Sequence, residues 1–216
     1  NQDLMDIKFE TIKVFGPSII KTKIPEDILI KINEYVDNVV TDKQKSNELN
    51  YGEQLVGDVT QEIRLDEKFA VDSGWLNFLA LTTSKWIEAE TKKKITKFNV
   101  ISSWVVRQFQ DEYNPIHWHG GHISGAGFLK IPKTFGESKQ KKAEKKYVGG
   151  HLDLIHGSRM FLSKSIYEIT PAVGDFYFFP NYLMHTVYPF NGSEDERRSI
   201  SFNAKIDENI YNVYGN

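Results

Sequence analysis

The chain of 216 residues carries 27 Lys and Arg against 29 Asp and Glu, for a formal net charge of -2, and it has no cysteine. That balance gives no global field that would favour nucleic acid or an anionic membrane. The lack of cysteine excludes disulfides, thiolate nucleophiles and Cys-ligated zinc or iron–sulfur clusters, and leaves histidine and carboxylate as metal ligands. No apolar run reaches membrane-spanning length, and the polar start NQDLMDIKFE does not read as a signal peptide. A soluble, cytoplasmic protein is therefore expected.

The first elements are helical. Pro25 suits a first helical turn, Glu26 and Asp27 follow it, and Ile28, Ile32, Tyr35 and Val39 recur at helical spacing. A second helix is expected from Ser73 to about Thr91, with Ser73 as N-cap and Trp75, Leu79, Thr82 and Trp86 along one stripe. From Lys97 the character changes to short β-branched and aromatic runs bounded by Gly, Pro, Asn and Asp: FNVISSWVVRQF, GHISGAGFLKIP, YVGGHLDLIH, SIYEITP, DFYFFP, MHTVYPF and RSISFNAKI. Many short strands with turn signals between them imply a sandwich or jelly-roll, and no helix-length segment separates them as a doubly wound sheet would need. We expect an α+β, mainly β fold in one domain spanning 1–216. Residues 1–96 would form a helix-containing support packed on one sheet, 97–206 the β core and 207–216 a tail. The Lys-rich stretch SKQKKAEKK lies in the connection 132–147. It reads as a solvated excursion, with a lid or a contact for an acidic substrate as the alternative.

Three histidines carry the chemistry. His117 and His119 stand at i, i+2, so in an extended strand both rings point to one face. His185, after the aromatic run GDFYFFP, could complete a set of three imidazoles around one ion. The alternative is histidines that only hydrogen-bond loops around a β core. His122 is out of phase with the pair and reads as a packing or substrate contact, and His151, Asp153 and His156 read as structural. In ERRSISFN, alternation places Arg197, Ser199, Ser201 and Asn203 on one face and Arg198, Ile200 and Phe202 on the other. A guanidinium with a neighbouring hydroxyl makes a clamp for a carboxylate, whereas a solvent-facing strand is the plainer reading.

Taken together and in order, these segments resemble the iron(II)/2-oxoglutarate-dependent oxygenase superfamily, in its prolyl-hydroxylase-like branch. HWHGGHISGAGFLKIP resembles the family's metal-binding strand and its successor, YVGGHLDLI its "GGEL" strand, GDFYFFPNYLMHTVYP its second histidine signature, and ERRSISFN its arginine segment. The resemblance spans roughly residues 100–206. It implies a double-stranded β-helix (jelly-roll) with Fe(II) and the co-substrate 2-oxoglutarate in its mouth, using O2 to hydroxylate an unactivated C–H bond. His117 falls on the proximal iron histidine, His185 on the distal one, Arg197 on the arginine for the distal carboxylate of 2-oxoglutarate, and Ser199 on its hydroxyl partner. Asn203 is a further co-substrate candidate. Phe128 stands where relatives often have tyrosine, and His119 where most have aspartate or glutamate. Three imidazoles would leave a divalent site at charge +2 where one carboxylate leaves +1. The substrate class stays open between a small molecule, a peptide and a protein.

Two other readings compete. A cupin-like metal dioxygenase or isomerase also uses HxH, but typically with a glutamate four or five residues on, where this chain has Ile123 and Ser124. A non-catalytic binding module would keep the fold and have lost the chemistry.

Overall fold

The computed structural model describes residues 5–12, 16–137 and 149–212. The chain runs β1 (Phe9–Ile12), β2 (Ile19–Lys23), α1 (Glu26–Thr41), α2 (Lys43–Glu48), β3 (Gln61–Arg64), α3 (Glu67–Asp72), α4 (Trp75–Thr91), β4 (Phe98–Gln108), β5 (Asn114–His117), β6 (Ile123–Lys130), β7 (Leu152–Ile155), β8 (Ile166–Ile169), β9 (Asp175–Pro180), β10 (Met184–Val187), β11 (Arg197–Ile206) and α5 (Glu208–Tyr211). Residues 138–147 of the expected Lys-rich excursion lie outside the described residues.

Two antiparallel sheets face each other as a jelly-roll. The larger has the order β1-β2-β9-β6-β11-β4-β3 and the smaller the order β5-β10-β7-β8. The expected mainly-β fold with helices on one sheet is what forms. The N-terminal region does more than support it, because β1, β2 and β3 add strands at both edges of the larger sheet. Their sequences, FETI, IIKTK and QEIR, are too short and polar to announce strands; pairing with β9 and β4 defines them.

Alternation splits the apolar residues between two cores. On the helix side, Phe176 and Phe178 of β9 and Ile200 and Phe202 of β11 pack with Ile28, Ile32, Trp75 and Phe78. Between the sheets, Phe128, Tyr177 and Phe179 pack with Leu152, Leu154, Leu183 and Val187. The close approach of β6 to the Phe176 ring requires glycine: a Cβ on Gly127 would lie 2.3 Å from Phe176 Cδ2 and 2.7 Å from the Asp175 carbonyl oxygen.

The helices follow their periodicity with two changes. In α1 the buried stripe is Ile28, Ile32, Val36 and Val39, while Tyr35 sits half-buried and stacks on Phe69 with ring centroids 4.0 Å apart. Ser73 is not the N-cap of α4. It ends α3, and Gly74, at φ 85°, takes the cap position because the chain turns there through the left-handed region. The Ser73 hydroxyl still accepts from Trp75 N–H at 3.3 Å, so the residue type was informative even though its place was one residue off. No helix among the described residues is long and apolar enough to cross a membrane.

Candidate metal centre and its cavity

β5 and β10 are antiparallel neighbours in the smaller sheet, and His117 and His185 are directly paired across them. Residues opposite each other in a ladder present side chains to the same face. Their ring centroids are accordingly 4.2 Å apart. The aromatic run that leads into His185 is not one strand. β9 belongs to the larger sheet and β10 to the smaller, and the chain crosses between them at Asn181–Leu183.

His119 arrives differently from the expected i, i+2 strand geometry, because β5 stops at His117. The ring is brought in by a loop held at its backbone: His119 N–H donates to the Asn181 carbonyl at 3.1 Å, and Asn181 Nδ2 donates back to the His119 carbonyl at 3.1 Å. Asn181 Oδ1 in turn accepts from the Tyr211 hydroxyl of α5 at 2.8 Å. Trp104 flanks the His119 ring at 5.4 Å between centroids. Sequence reasoning missed Asn181 and Tyr211, and no local signal marks either.

The ligating atoms of His117, His119 and His185 all lie within 4.8 Å of one another, and no carboxylate joins that group among the described residues. Two rings have a fixed tautomer. His117 Nδ1 donates to the Pro115 carbonyl at 2.6 Å and His185 Nδ1 to the Leu183 carbonyl at 2.9 Å, leaving Nε2 as the available lone pair on each. His119 Nε2 donates to His185 Nε2 at 2.9 Å. Two nitrogens about 2.1 Å from one ion at a right angle would be about 3 Å apart, so this pair already has the spacing that ligation needs. The donor chemistry fits a divalent first-row metal such as Fe(II).

Burial keeps all three rings neutral. It pushes His185 well below the ordinary histidine range and His119 down to about 3, with the neighbouring His117 adding to both. His117 is lowered by the same desolvation, partly offset by its bond to Pro115. In the unfolded chain each would protonate near 6.5, so below that pH the unfolded state binds more protons than the folded one. The metal-free protein should therefore lose stability as pH falls from about 6.5 toward 3, seen as a falling urea midpoint between pH 7 and 4. Glu62 acts with the opposite sign. Burial raises its carboxyl to about 7, so its penalty on the folded state is relieved as pH falls from about 7 to 4.5. Three histidines outweigh one glutamate, and a midpoint that rose throughout that range would contradict the shifts.

The imidazoles open on a cavity of about 120 Å³ between the sheets, whose wall includes Arg197, Ser199, Ser201 and Phe128. Arg197 is 1 % exposed. Its Nε donates to the Gly150 carbonyl at 2.8 Å and its Nη1 to Ser199 Oγ at 3.3 Å, with the guanidinium carbon 5.4 Å from the Phe128 ring centre. Arg198 turns to the helix side, where it meets Glu196, the Asn33 side chain and Asp37.

Other candidates fall elsewhere. Asn203 is outside the cavity wall, and its Oδ1 accepts from Ser124 Oγ at 2.9 Å. His122 stacks on Tyr211 and accepts from Ile206 N–H. His151 lies 3.2 Å from a Glu168 carboxylate oxygen, and Asp153 sits in β7 opposite Thr186. The imidazole of His156 lies near Gly16 and is not part of the three-histidine group.

Residues 102–203 match the family model described as "Putative 2OG-Fe(II) oxygenase". The match covers β5 to β10, most of β4 and β11, and all three histidines. The fold of the chain is also that of solved prolyl hydroxylases. A Pseudomonas putida prolyl-4-hydroxylase aligns with TM-score 0.57 at 14% identity, over 94% of this chain and 95% of that one. The viral collagen prolyl hydroxylase of Paramecium Bursaria Chlorella virus-1, solved as a 2-oxoglutarate complex, aligns with TM-score 0.51 at 14% identity, over 91% and 94%. A Trichoplax adhaerens prolyl hydroxylase, in complex with a hypoxia inducible factor peptide fragment, aligns with TM-score 0.54 at 12% identity, over 95% and 86%. No curated protein sequence matches the chain.

Proposed function

We propose that this chain is an Fe(II)- and 2-oxoglutarate-dependent dioxygenase that hydroxylates an unactivated C–H bond of a small molecule, peptide or protein. The observation that carries the reading is that three imidazoles and a buried arginine with a hydroxyl neighbour open on one cavity inside the jelly-roll. His117, His119 and His185 would hold the metal through ring nitrogens. Bound there, iron(II) would supply the redox chemistry that couples O2 to the oxidative decarboxylation of 2-oxoglutarate.

The remaining steps belong to the chain's own side chains. Arg197 offers the co-substrate's distal carboxylate a charge-assisted contact, and Ser199 adds a hydroxyl donor beside it. Phe128 packs against the guanidinium and gives the co-substrate an apolar wall where a tyrosine would add a hydrogen bond. The carbonyls of Pro115 and Leu183 hold two rings in the ligating tautomer, and the Asn181 exchange fixes the backbone that carries the third. The 2-oxoglutarate complex of the viral relative and the peptide complex of the Trichoplax relative support these ligand classes.

One observation favours a second reading. A site of neutral imidazoles alone keeps the coordination count but not the charge balance, which suits a binding module that has lost turnover. Succinate release from 2-oxoglutarate by the Fe(II)-loaded protein decides between them. The oxygenase reading expects release that stops when iron is chelated. Binding of metal and 2-oxoglutarate with no release from the wild type, but with release from His119→Asp, gives the case to the binding module. Oxygen consumption that ignores 2-oxoglutarate points to cupin-like chemistry.

A further inference from the structure

One buried acid in the cavity has no part in the scheme above. Glu62 sits in β3, directly opposite Val106 of β4, whose other neighbour in the ladder is Ser199 of β11. That row puts the glutamate on the cavity face of the larger sheet, near its edge, and its side chain lines the same cavity as the three imidazoles. It is 3 % exposed. Among the described residues its carboxylate takes no hydrogen bond and no ion pair, and burial alone accounts for its raised pKa.

Leaving an ionised carboxylate this buried without a partner is costly, and side chains in that position are candidates for binding a ligand. The surroundings say which kind. A Cβ built on Gly57 would lie 3.1 Å from Glu62 Oε1 and 2.3 Å from Asn114 Oδ1, so both oxygens border the space at Gly57, where glycine lets the loop close over them. Asn114 lines the cavity too. Arg197, the other charged residue of the wall, serves the opposite end, beyond Ser199. A pocket with a cation at one end and an acid with an amide oxygen at the other is polarised along its length.

We propose that Glu62, with Asn114, is the substrate anchor of this cavity, and that the substrate presents a cationic nitrogen, an ammonium or guanidinium on an aliphatic stem. This rests on the oxygenase reading for what happens to the stem, but the recognition itself is a matter of Glu62 and its surroundings. The N–H donors of such a group would reach both oxygens, and the acid would gain the partner it lacks within the protein. The stem would then extend from the anchor toward the imidazoles, placing an unactivated C–H bond at the centre of the cavity.

The test measures binding by calorimetry to protein loaded with Mn(II) and 2-oxoglutarate, so that no turnover occurs. The probes are Nα-acetyl-lysine amide and Nα-acetyl-arginine amide, against the neutral Nα-acetyl-norleucine amide. The wild type should prefer at least one cation by about ten- to hundredfold, the value of one charge-assisted contact. Glu62→Gln should erase that preference, leave 2-oxoglutarate affinity unchanged and melt no lower than wild type, since it removes an unpaired buried charge. Equal wild-type affinity for all three probes overturns the proposal even if the variant does not fold. So does a Glu62→Gln protein that keeps its preference, or one that instead loses Mn(II), which would make the acid a counter-charge for the metal. The two readings fail separately. A wild type that binds Mn(II) and 2-oxoglutarate but shows no cation preference sinks the anchor alone. Failure to bind Mn(II) or 2-oxoglutarate sinks the oxygenase reading, and the amides titrated onto the unloaded protein then still decide the anchor.

Discussion

His185→Ala should lower metal affinity by more than about 100-fold and take succinate release to background. The lower bound follows from ligand supports, whose loss alone typically costs about 10- to 100-fold, whereas this change deletes a proposed ligand. His185 is the most buried of the three rings and the cross-strand partner of His117, so its removal also takes away the ring against which His117 is placed. His119→Ala is the sharper comparison. Its ring comes from a loop and has no carbonyl contact to set its tautomer, yet its nitrogen is 2.9 Å from that of His185. If all three rings bind the metal, His119→Ala should resemble His185→Ala, and His119→Asp should hold metal because a carboxylate restores the missing negative charge. Fe(II) or Mn(II) titration followed by calorimetry reads both. Unchanged metal affinity and turnover in His119→Ala would remove that residue from the ligand set.

The second large effect concerns neighbouring arginines. Arg197→Ala should weaken 2-oxoglutarate by about ten- to hundredfold, one charge-assisted contact's worth, with little change in metal affinity. Arg198→Ala should leave 2-oxoglutarate affinity alone and lower the unfolding free energy by about 1–3 kcal/mol, because it strips Glu196 and Asp37 of a buried partner. The reverse pattern would mean that β11 is out of register by one residue. The ladder makes that a strong test, since a one-residue slip turns every side chain to the opposite face.

How much of this was legible in the sequence depends on how local the signal was. Alternation in RSISFN separated the cavity face from the helix face of β11, and the stripe of Ile28, Ile32 and Val39 located α1. Both are periodicities that a single element displays by itself. The convergence of the histidines was expected for a partly different reason. The i, i+2 spacing suggested one strand face, whereas the structure joins His117 to His185 across a ladder and brings in His119 through a loop tied to Asn181. Glu62 was invisible, since QEIR reads as a polar surface strand. Only pairing with β4 and the loop at Gly57 bury it.

The order of strands in the larger sheet has a bearing on the history of the molecule. β11 is not added at an edge but inserted between β6 and β4, whose residues precede it by roughly seventy to a hundred positions. Contacts so distant along the chain form slowly, because a long loop must be closed before any pairing repays it. During synthesis β4 and β6 leave the ribosome well before β11, each lacking the neighbour that separates them. Arg197 and Ser199 arrive with that strand, and Tyr211, which steadies Asn181 and through it His119, follows with α5. The fully assembled site is thus a late product of folding, and a nascent chain stalled before residue 197 would hold all three histidines without the means to clasp a co-substrate.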